Sequence, residues 1–162
     1  MKKIIMVLFA LVFAMSIYSL TIVEDKFDDN TSLTGWKRSS TTNTASYTGT
    51  PKVGDACLQL KYNANVITYV KLTGFKNIVL TYKMAKNSLE TGEKVVCEYS
   101  TNGGSTWTTA ASLLNTAANN TFTSYTTNIA NCTVLQLRFK IVGSATDDYA
   151  YIDDVKITGD LQ

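Results

Sequence analysis

The chain has 162 residues, of which 15 are Lys or Arg, 13 are Asp or Glu, and none is His. The absence of histidine excludes a Ser-His-Asp or Cys-His catalytic relay and every metal site that needs a histidine ligand. The length fits one domain whose core is large enough to fold without disulfide staples.

The N-terminal stretch has the pattern of a secretory signal peptide. Two lysines precede an apolar run over residues 4–17, and small residues follow as far as Ser19. The alternative is a membrane anchor, but a spanning helix needs about 20 apolar residues and this run is shorter. We therefore predict that residues 1–19 are removed, that residues 20–162 form a single domain, and that the protein is secreted or held at the cell surface without a membrane span.

Removal of this leader changes the charge balance. It deletes two basic residues and no acidic ones, which leaves 13 of each sign and a formally neutral chain. Nucleic-acid binding typically needs a basic excess on one face, so neutrality predicts no nucleic-acid partner.

After the leader, apolar and polar residues alternate in many short segments separated by Gly, Asn, Asp and Ser. Such period-two segments, with no convincing helix among them, predict about nine strands in an all-β antiparallel sandwich. A Thr-rich stretch at 39–51 is either an edge strand or a loop, and 110–119 is predicted to be a loop. The alternating segments cover residues 20–27, 56–62, 66–72, 77–86, 93–100, 121–129, 134–142 and 149–158.

The stretch 93–110 predicts a β-hairpin. Its turn contains Asn102, Gly103 and Gly104, which all accept the positive φ that a compact hairpin loop requires. The segment around this turn resembles the Asp-box hairpin, with Asn102 where that motif has Asp and with Trp107 packed over the turn. We assign this segment a folding role and no catalytic one.

Several motifs together resemble one group of secreted modules. They are an early FDD, a following GW, the EYSTNGGSTW hairpin, the strand LRFKIVG and the terminal YIDDVKI. The group is the jelly-roll β-sandwiches, which include galactose-binding-like carbohydrate-binding modules, MAM-like domains and the cleaved-adhesin-like modules of bacterial surface proteases. The resemblance implies a jelly-roll sandwich that binds and does not catalyse.

The resemblance also implies a structural calcium ion that joins the first strand to the last. Asp28 and either Asp153 or Asp154 are the matching acids, and Glu24 lies nearby. Lys26 departs from the pattern, because it places a cation where an acid is common. The alternative is that these acids cap turns and meet solvent, although alternation places Asp153 with inward-facing residues, where a carboxylate needs a partner.

Sugar recognition uses aromatic rings against the apolar side of the sugar, flanked by polar groups. Four tyrosines fall at outward or loop positions and are predicted to bind ligand, although ordinary preference for β surfaces also explains them. These four are Tyr47, Tyr69, Tyr125 and Tyr149. The other large aromatic residues are predicted to pack in the core or on turns, namely Trp36, Tyr62, Tyr82, Tyr99 and Trp107.

The chain has three cysteines, so an oxidising environment leaves at least one unpaired. Cys97 shares its strand face with apolar residues and is predicted to be buried and unbridged. Cys57 lies opposite the inward leucines of its strand and is predicted to point outward. An intermolecular disulfide through Cys57 or Cys132 is therefore open.

Three glycosylation sequons occur, at Asn30, Asn119 and Asn131, and each predicts a surface loop in an exported protein. They would carry glycans only in a host with that machinery.

Two functional hypotheses remain at this point, and neither is enzymatic. The first is an extracellular binding or adhesion module for carbohydrate or a glycosylated surface. The second is a subunit that assembles with copies of itself into a filament, tube or surface coat, since low net charge weakens repulsion between copies.

Overall fold

The computed structural model of the chain describes residues 19–29 and 33–162, and all of its regular elements there are β-strands. Residues 1–18 of the predicted leader and the sequon residue Asn30 lie outside the described residues. No helix capable of crossing a membrane occurs within the described ranges. The eleven strands are β1 (Ser19–Asp25), β2 (Lys37–Arg38), β3 (Thr44–Tyr47), β4 (Cys57–Lys61), β5 (Asn65–Lys71), β6 (Phe75–Asn87), β7 (Lys94–Ser100), β8 (Thr108–Leu114), β9 (Thr123–Ile129), β10 (Val134–Val142) and β11 (Tyr149–Leu161).

The strands form two antiparallel sheets that pack face to face, which confirms the predicted β-sandwich. The five-stranded sheet has the order β2-β5-β10-β7-β8. The six-stranded sheet has the order β3-β4-β11-β6-β9, and β1 also pairs with β11. Each sheet is therefore built around one of the two C-terminal strands, β10 or β11.

Alternation along β10 separates core from surface. Leu135, Leu137 and Phe139 are fully buried, because they meet the inner face of the opposite sheet. The residues between them face outward, as a strand's period of two requires. The core therefore fixes which side chains of β10 reach the outer face of the five-stranded sheet.

Aromatic rings join the two sheets near the middle of the sandwich. Phe139 lies 5.8 Å from Trp36 and 5.3 Å from Tyr82, measured between ring centroids. The indole N–H of Trp36 donates to Oδ2 of Asp25 at 2.7 Å, which satisfies its polar atom at the core boundary. The prediction that Trp36 packs in the core or on a turn is confirmed, since it is buried in the core.

The segment predicted to be a loop at 110–119 instead begins with strand residues, since β8 continues to Leu114. β8 pairs with β7 through Leu113 opposite Val95 and Ala111 opposite Cys97, and a bulge lies between Cys97 and Glu98. The small side chains of this segment gave a weak alternation signal, and the pairing partner supplied by the hairpin decides its structure.

The expectation that Cys57 points outward is wrong, because this residue has no exposed surface. It does face the outer side of its sheet, but Tyr151, Ala85 and the chain around Pro51 cover it there. Its thiol donates to the carbonyl of Pro51 at 3.3 Å, and burial raises the pKa of Cys57 to about 12. A disulfide between molecules through Cys57 is therefore excluded by burial.

The structure also locates the other cysteines and two of the aromatic residues that were predicted to pack in the core or on turns. Cys97 is fully buried, as predicted, and Cys132 is half-buried, so only Cys132 stays a candidate for a link between molecules. Tyr82 is in the core, whereas Tyr62 is 42% exposed and lies on a turn, which is the second of its two predicted positions. Tyr62 lies directly after β4 with a φ of 57°, where the chain turns away from the sheet.

Candidate functional site

A polar cluster lies on the outer face of the five-stranded sheet, where β7 and β10 are neighbours. Glu98 of β7 is opposite Arg138 of β10 in the register, and Lys140 follows two residues later on the same face. The guanidinium of Arg138 donates to Oε2 of Glu98 at 2.6 and 2.8 Å. The ammonium of Lys140 lies 2.7 Å from Oε1. One carboxylate therefore holds two cations.

The environment of Glu98 keeps it ionised. Only 8% of the residue is exposed, and burial alone would raise its pKa. The hydrogen bonds and charges of Lys140 and Arg138 outweigh that effect and hold the pKa of Glu98 below its ordinary value. Because all three side chains are fixed by these contacts, the cluster presents a preorganised polar surface.

The hairpin turn places an aromatic ring at this cluster. The hydroxyl of Ser100 accepts a hydrogen bond from the Gly104 N–H at 2.9 Å and donates to Oδ1 of Asn102 at 2.8 Å. The ring of Trp107, which follows the turn, lies against the guanidinium of Arg138. The distance from the ring centroid to the guanidinium carbon is 3.9 Å. This cation–π contact fixes the guanidinium plane. Oδ1 of Asn102 also accepts the N–H of Thr106 at 3.0 Å. The predicted hairpin turn is therefore confirmed, and it positions a ring as well as closing a loop.

Tyr69 stands beside the cluster on the same face. It is opposite Gln136 of β10 in the register and is 64% exposed, which makes it the most exposed large aromatic residue in the described ranges. Gln136 itself is buried, and its side-chain oxygen lies so close to Gly104 that a Cβ there would approach it to 2.7 Å. A free aromatic ring thus adjoins fixed amide, guanidinium and carboxylate groups.

The structure separates the other three predicted tyrosines from Tyr69. Tyr47 and Tyr149 lie on the outer side of the six-stranded sheet, against the buried ring of Tyr151, with ring centroids 5.3 and 6.2 Å from it. The ammonium of Lys61 lies 5.2 Å from the centroid of Tyr149. These residues form a second aromatic patch, half-buried against the sheet.

Tyr125 lies neither beside Tyr69 nor in the second aromatic patch. It is opposite Tyr82 in the pairing of β9 with β6, and the two rings stack with centroids 5.4 Å apart. Tyr125 is half-buried at the sandwich edge, so much of its ring is already in contact with Tyr82.

Of the four acids of the predicted calcium site, Glu24 and Asp154 pair with lysines. Glu24 lies 3.7 Å from the ammonium of Lys156, and Asp154 lies 2.6 Å from that of Lys83. Within the described part of the chain, no group of three or more Asp, Glu, Cys or His side chains is arranged to hold a metal ion.

Asp28 and Asp153 do come together, at the loop that precedes β4. Oδ1 of Asp28 accepts the N–H of Asp55 at 2.6 Å, and Oδ2 of Asp153 accepts the N–H of Val53 at 2.7 Å. Asp153 has no exposed surface, which confirms its predicted burial. Burial, aided by the charges of Asp154 and Asp28, raises the pKa of Asp153 to about 6 despite two amide hydrogen bonds.

Two carboxylates at one end of the sandwich accept hydrogen bonds from the backbone. Oδ2 of Asp148 accepts the N–H groups of Ser144 and Ala145 at 2.8 and 2.6 Å. Oε2 of Glu93 accepts the N–H of Glu90 at 2.7 Å. Asp148 therefore closes its own turn, whereas Glu93 also hydrogen-bonds Ser144 and Asp148 of the neighbouring loop.

Two of the predicted glycosylation residues lie in the described ranges, and both are exposed. Oδ1 of Asn119 accepts a hydrogen bond from the Lys86 ammonium at 2.7 Å, and Oδ1 of Asn131 accepts the N–H of Asn77 at 3.2 Å. The amide nitrogens, to which a glycan is attached, are left outside these bonds. Glycosylation of Asn119 and Asn131 stays a prediction.

No protein-family model matches the sequence, and no curated protein is significantly similar to it. Solved structures share its fold. The carbohydrate-binding module TmCBM61, solved with β-1,4-galactotriose, is 14% identical with a TM-score of 0.64, over 82% of this chain and 92% of that one. The K3 cleaved adhesin domain of Lys-gingipain from Porphyromonas gingivalis is 16% identical with a TM-score of 0.59, over 87% and 99%.

A third neighbour is the C-terminal family 22 carbohydrate-binding module of Clostridium thermocellum Xyn10B. It is 10% identical, with a TM-score of 0.61, over 86% of this chain and 92% of that one. The chain therefore has the β-sandwich fold shared by carbohydrate-binding modules and cleaved adhesin domains. The resemblance drawn from the sequence motifs is confirmed at the level of the fold.

Sequence reasoning missed the cluster of Glu98, Arg138, Lys140 and Trp107. Alternation along β10 did place Arg138 and Lys140 on one outward face, which was the available signal. The sequence did not reveal that β7 lies beside β10, so the pairing with Glu98 could not be predicted.

The pKa of Asp153 leads to a prediction about stability and pH. Because the folded-state pKa of about 6 lies above the ordinary value of 3.8, the folded protein binds more protons than the unfolded chain between these pH values. In EDTA, this residue should make the free energy of unfolding fall by roughly 2 kcal/mol as pH rises from 4 to 7. The Asp153→Asn variant should lose that component of the slope, as measured by urea unfolding across the pH range. Identical slopes for the two proteins would contradict the assignment.

Proposed function

We propose that this protein is a non-enzymatic, extracellular module that binds carbohydrate, or a glycosylated surface, through the outer face of its five-stranded sheet. The observation that carries the proposal is the fixed cluster of Glu98, Arg138 and Trp107 beside the exposed ring of Tyr69. A sugar ring offers an apolar face for an aromatic residue and hydroxyl groups for charged and amide partners, so this set matches its chemistry.

Two further observations support the proposal. Solved structures with this fold include a module bound to β-1,4-galactotriose and one described as a xylan-binding domain. The non-enzymatic role is supported by the lack of histidine in the chain. It is also supported by Glu98, the carboxylate of the cluster, which two cations hold in its ionised form. The predicted leader supports export of the module.

The proposal predicts that Tyr69→Ala weakens polysaccharide binding by about tenfold, because an exposed stacking ring is lost. Affinity gel electrophoresis with β-1,4-galactan, xylan and polygalacturonate measures the effect. Tyr62→Ala serves as the control, since Tyr62 is also exposed but lies outside the face.

The same assay tests the other aromatic patch. If Tyr149→Ala abolishes binding and Tyr69→Ala does not, the site lies on the outer side of the six-stranded sheet. If the wild-type protein is retained by no polysaccharide in the panel, the proposed function is wrong.

We also propose that calcium binds between Asp28 and Asp153, with backbone carbonyls of the neighbouring loop completing its oxygen shell. The fit rests on two carboxylates brought together by the fold, one of them fully buried. Of the four acids that the resemblance implied, only Asp28 and Asp153 lie at this position, so we expect calcium to bind with modest affinity.

Calcium at millimolar concentration should raise the melting temperature by a few degrees relative to EDTA, because a ligand that binds only the folded state stabilises it. Asp28→Asn should remove the increase, whereas Asp160→Asn should retain it. An unchanged melting temperature of the wild-type protein in calcium would contradict the site.

Assembly with copies of itself is a second candidate function, favoured by the sheet edges. β8 and β9 are edge strands, and neither contains a charged residue or a proline to block pairing with another strand. We expect concentration-dependent oligomers in analytical ultracentrifugation, and Cys132→Ser would report any disulfide that stabilises them. A strict monomer at high concentration would contradict self-assembly.

A further inference from the structure

The two sheets differ sharply in charge. The strands of the six-stranded sheet contain five basic and five acidic residues, and those of the five-stranded sheet contain six basic residues and one acid. The single acid is Glu98. The basic residues of the five-stranded sheet are Lys37, Arg38, Lys71, Lys94, Arg138 and Lys140.

Strand register places five of these six cations on the outer face. Lys37 is opposite Ile67, which is itself opposite Arg138, and so these residues share one outward row. Lys71 is opposite Val134, and Lys94 is opposite Val142, at the two ends of β10. Arg38 alone pairs with a residue of the inner face, Val66.

The carboxylate on this face cannot neutralise the cations. Glu98 is already shared between Arg138 and Lys140. Lys37, Lys71 and Lys94 form no ion pair with any residue that the structure describes, and Lys37 and Lys71 are exposed. The face therefore keeps a net excess of four positive charges, although the chain without its leader is formally neutral.

The charges are spread along the face instead of being gathered at one point. Lys71 and Lys94 are separated by the length of β10 from Val134 to Val142, which is about 27 Å at the rise of a β-strand. Lys37 and Arg138 lie between them. This spacing suits an extended chain with repeated negative charges better than a single small anion.

On the basis of the proposed carbohydrate-binding function, we infer that the ligand of this face is an anionic polysaccharide, bearing carboxylate or sulfate groups, in preference to a neutral one. Tyr69 supplies an aromatic contact for a sugar ring, and the surrounding lysines and Arg138 supply partners for its anionic groups. Cations arranged along a face also raise the rate of encounter with an oppositely charged polymer, in a manner that salt suppresses.

The test compares glycans that share a backbone and differ in charge. Polygalacturonate is matched with its methyl ester, and dextran sulfate with dextran, so the two pairs separate carboxylate from sulfate as the source of charge. The purified protein should bind at least one anionic member about tenfold more tightly than its neutral partner, and raising NaCl from about 0.05 to 0.5 M should weaken that binding. Isothermal titration calorimetry measures each affinity.

Variants locate the effect on the face. Lys37→Gln combined with Lys71→Gln removes two unpaired cations and leaves the Glu98 cluster intact, and it should weaken anionic binding about fivefold. Lys76→Gln combined with Lys156→Gln makes the same charge change on the charge-balanced sheet and should alter affinity less than twofold. Equal losses in both double variants would overturn the assignment to this face.

The other outcomes are also decisive. Equal affinity for charged and neutral partners would overturn the inference and leave the proposed carbohydrate-binding function standing. Binding to double-stranded DNA or to anionic phospholipid vesicles, with no glycan bound, would overturn both. Retention by none of these probes would overturn the inference, and the proposed function would fail as well only if β-1,4-galactan and xylan were also not bound.

Discussion

The packing of Phe139 between Trp36 and Tyr82 is the contact on which the arrangement of this protein depends. It joins the five-stranded sheet to the six-stranded sheet and fixes the pleat of β10. A shift of one residue in the register of β10 would reverse every side chain, burying Arg138 and exposing Phe139. The same contact that holds the sandwich together therefore decides which residues form the outer face of the five-stranded sheet.

Much of the fold was readable because period-two alternation is strong wherever one side of a strand meets the core. The strand through Phe139 and the hairpin turn at Asn102 both follow from local pattern and turn chemistry. β8 did not, because its Thr and Ala side chains carry little apolar contrast. Its strand structure comes from pairing with β7, a tertiary effect that overrides local preference.

The predictions that failed share a physical cause, which is that alternation reports the face of a strand and not what covers that face. Cys57 does lie opposite the inward leucines, yet Tyr151 and the chain around Pro51 cover it. The four tyrosines predicted to act together are divided among two sheet surfaces and an edge. Assembling a site requires the order of strands within each sheet, and that order places β10 between β5 and β7 without any local signal.

The net charge of the chain does not reveal the local excess of positive charge on the outer face of the five-stranded sheet. The Cα atoms of Arg138 and Lys140 lie about 7 Å apart, because the two residues are two positions apart in a strand, and both side chains are on one face. The carboxylate of Glu98 lies within hydrogen-bonding distance of both, and it reduces a repulsive pair to a single excess charge while orienting the guanidinium on Trp107. Each exposed lysine around this cluster then adds to the positive charge of the face. A chain with a formal net charge of only +2 thereby acquires one strongly basic surface, since most of its acids lie on the other sheet and in the loops.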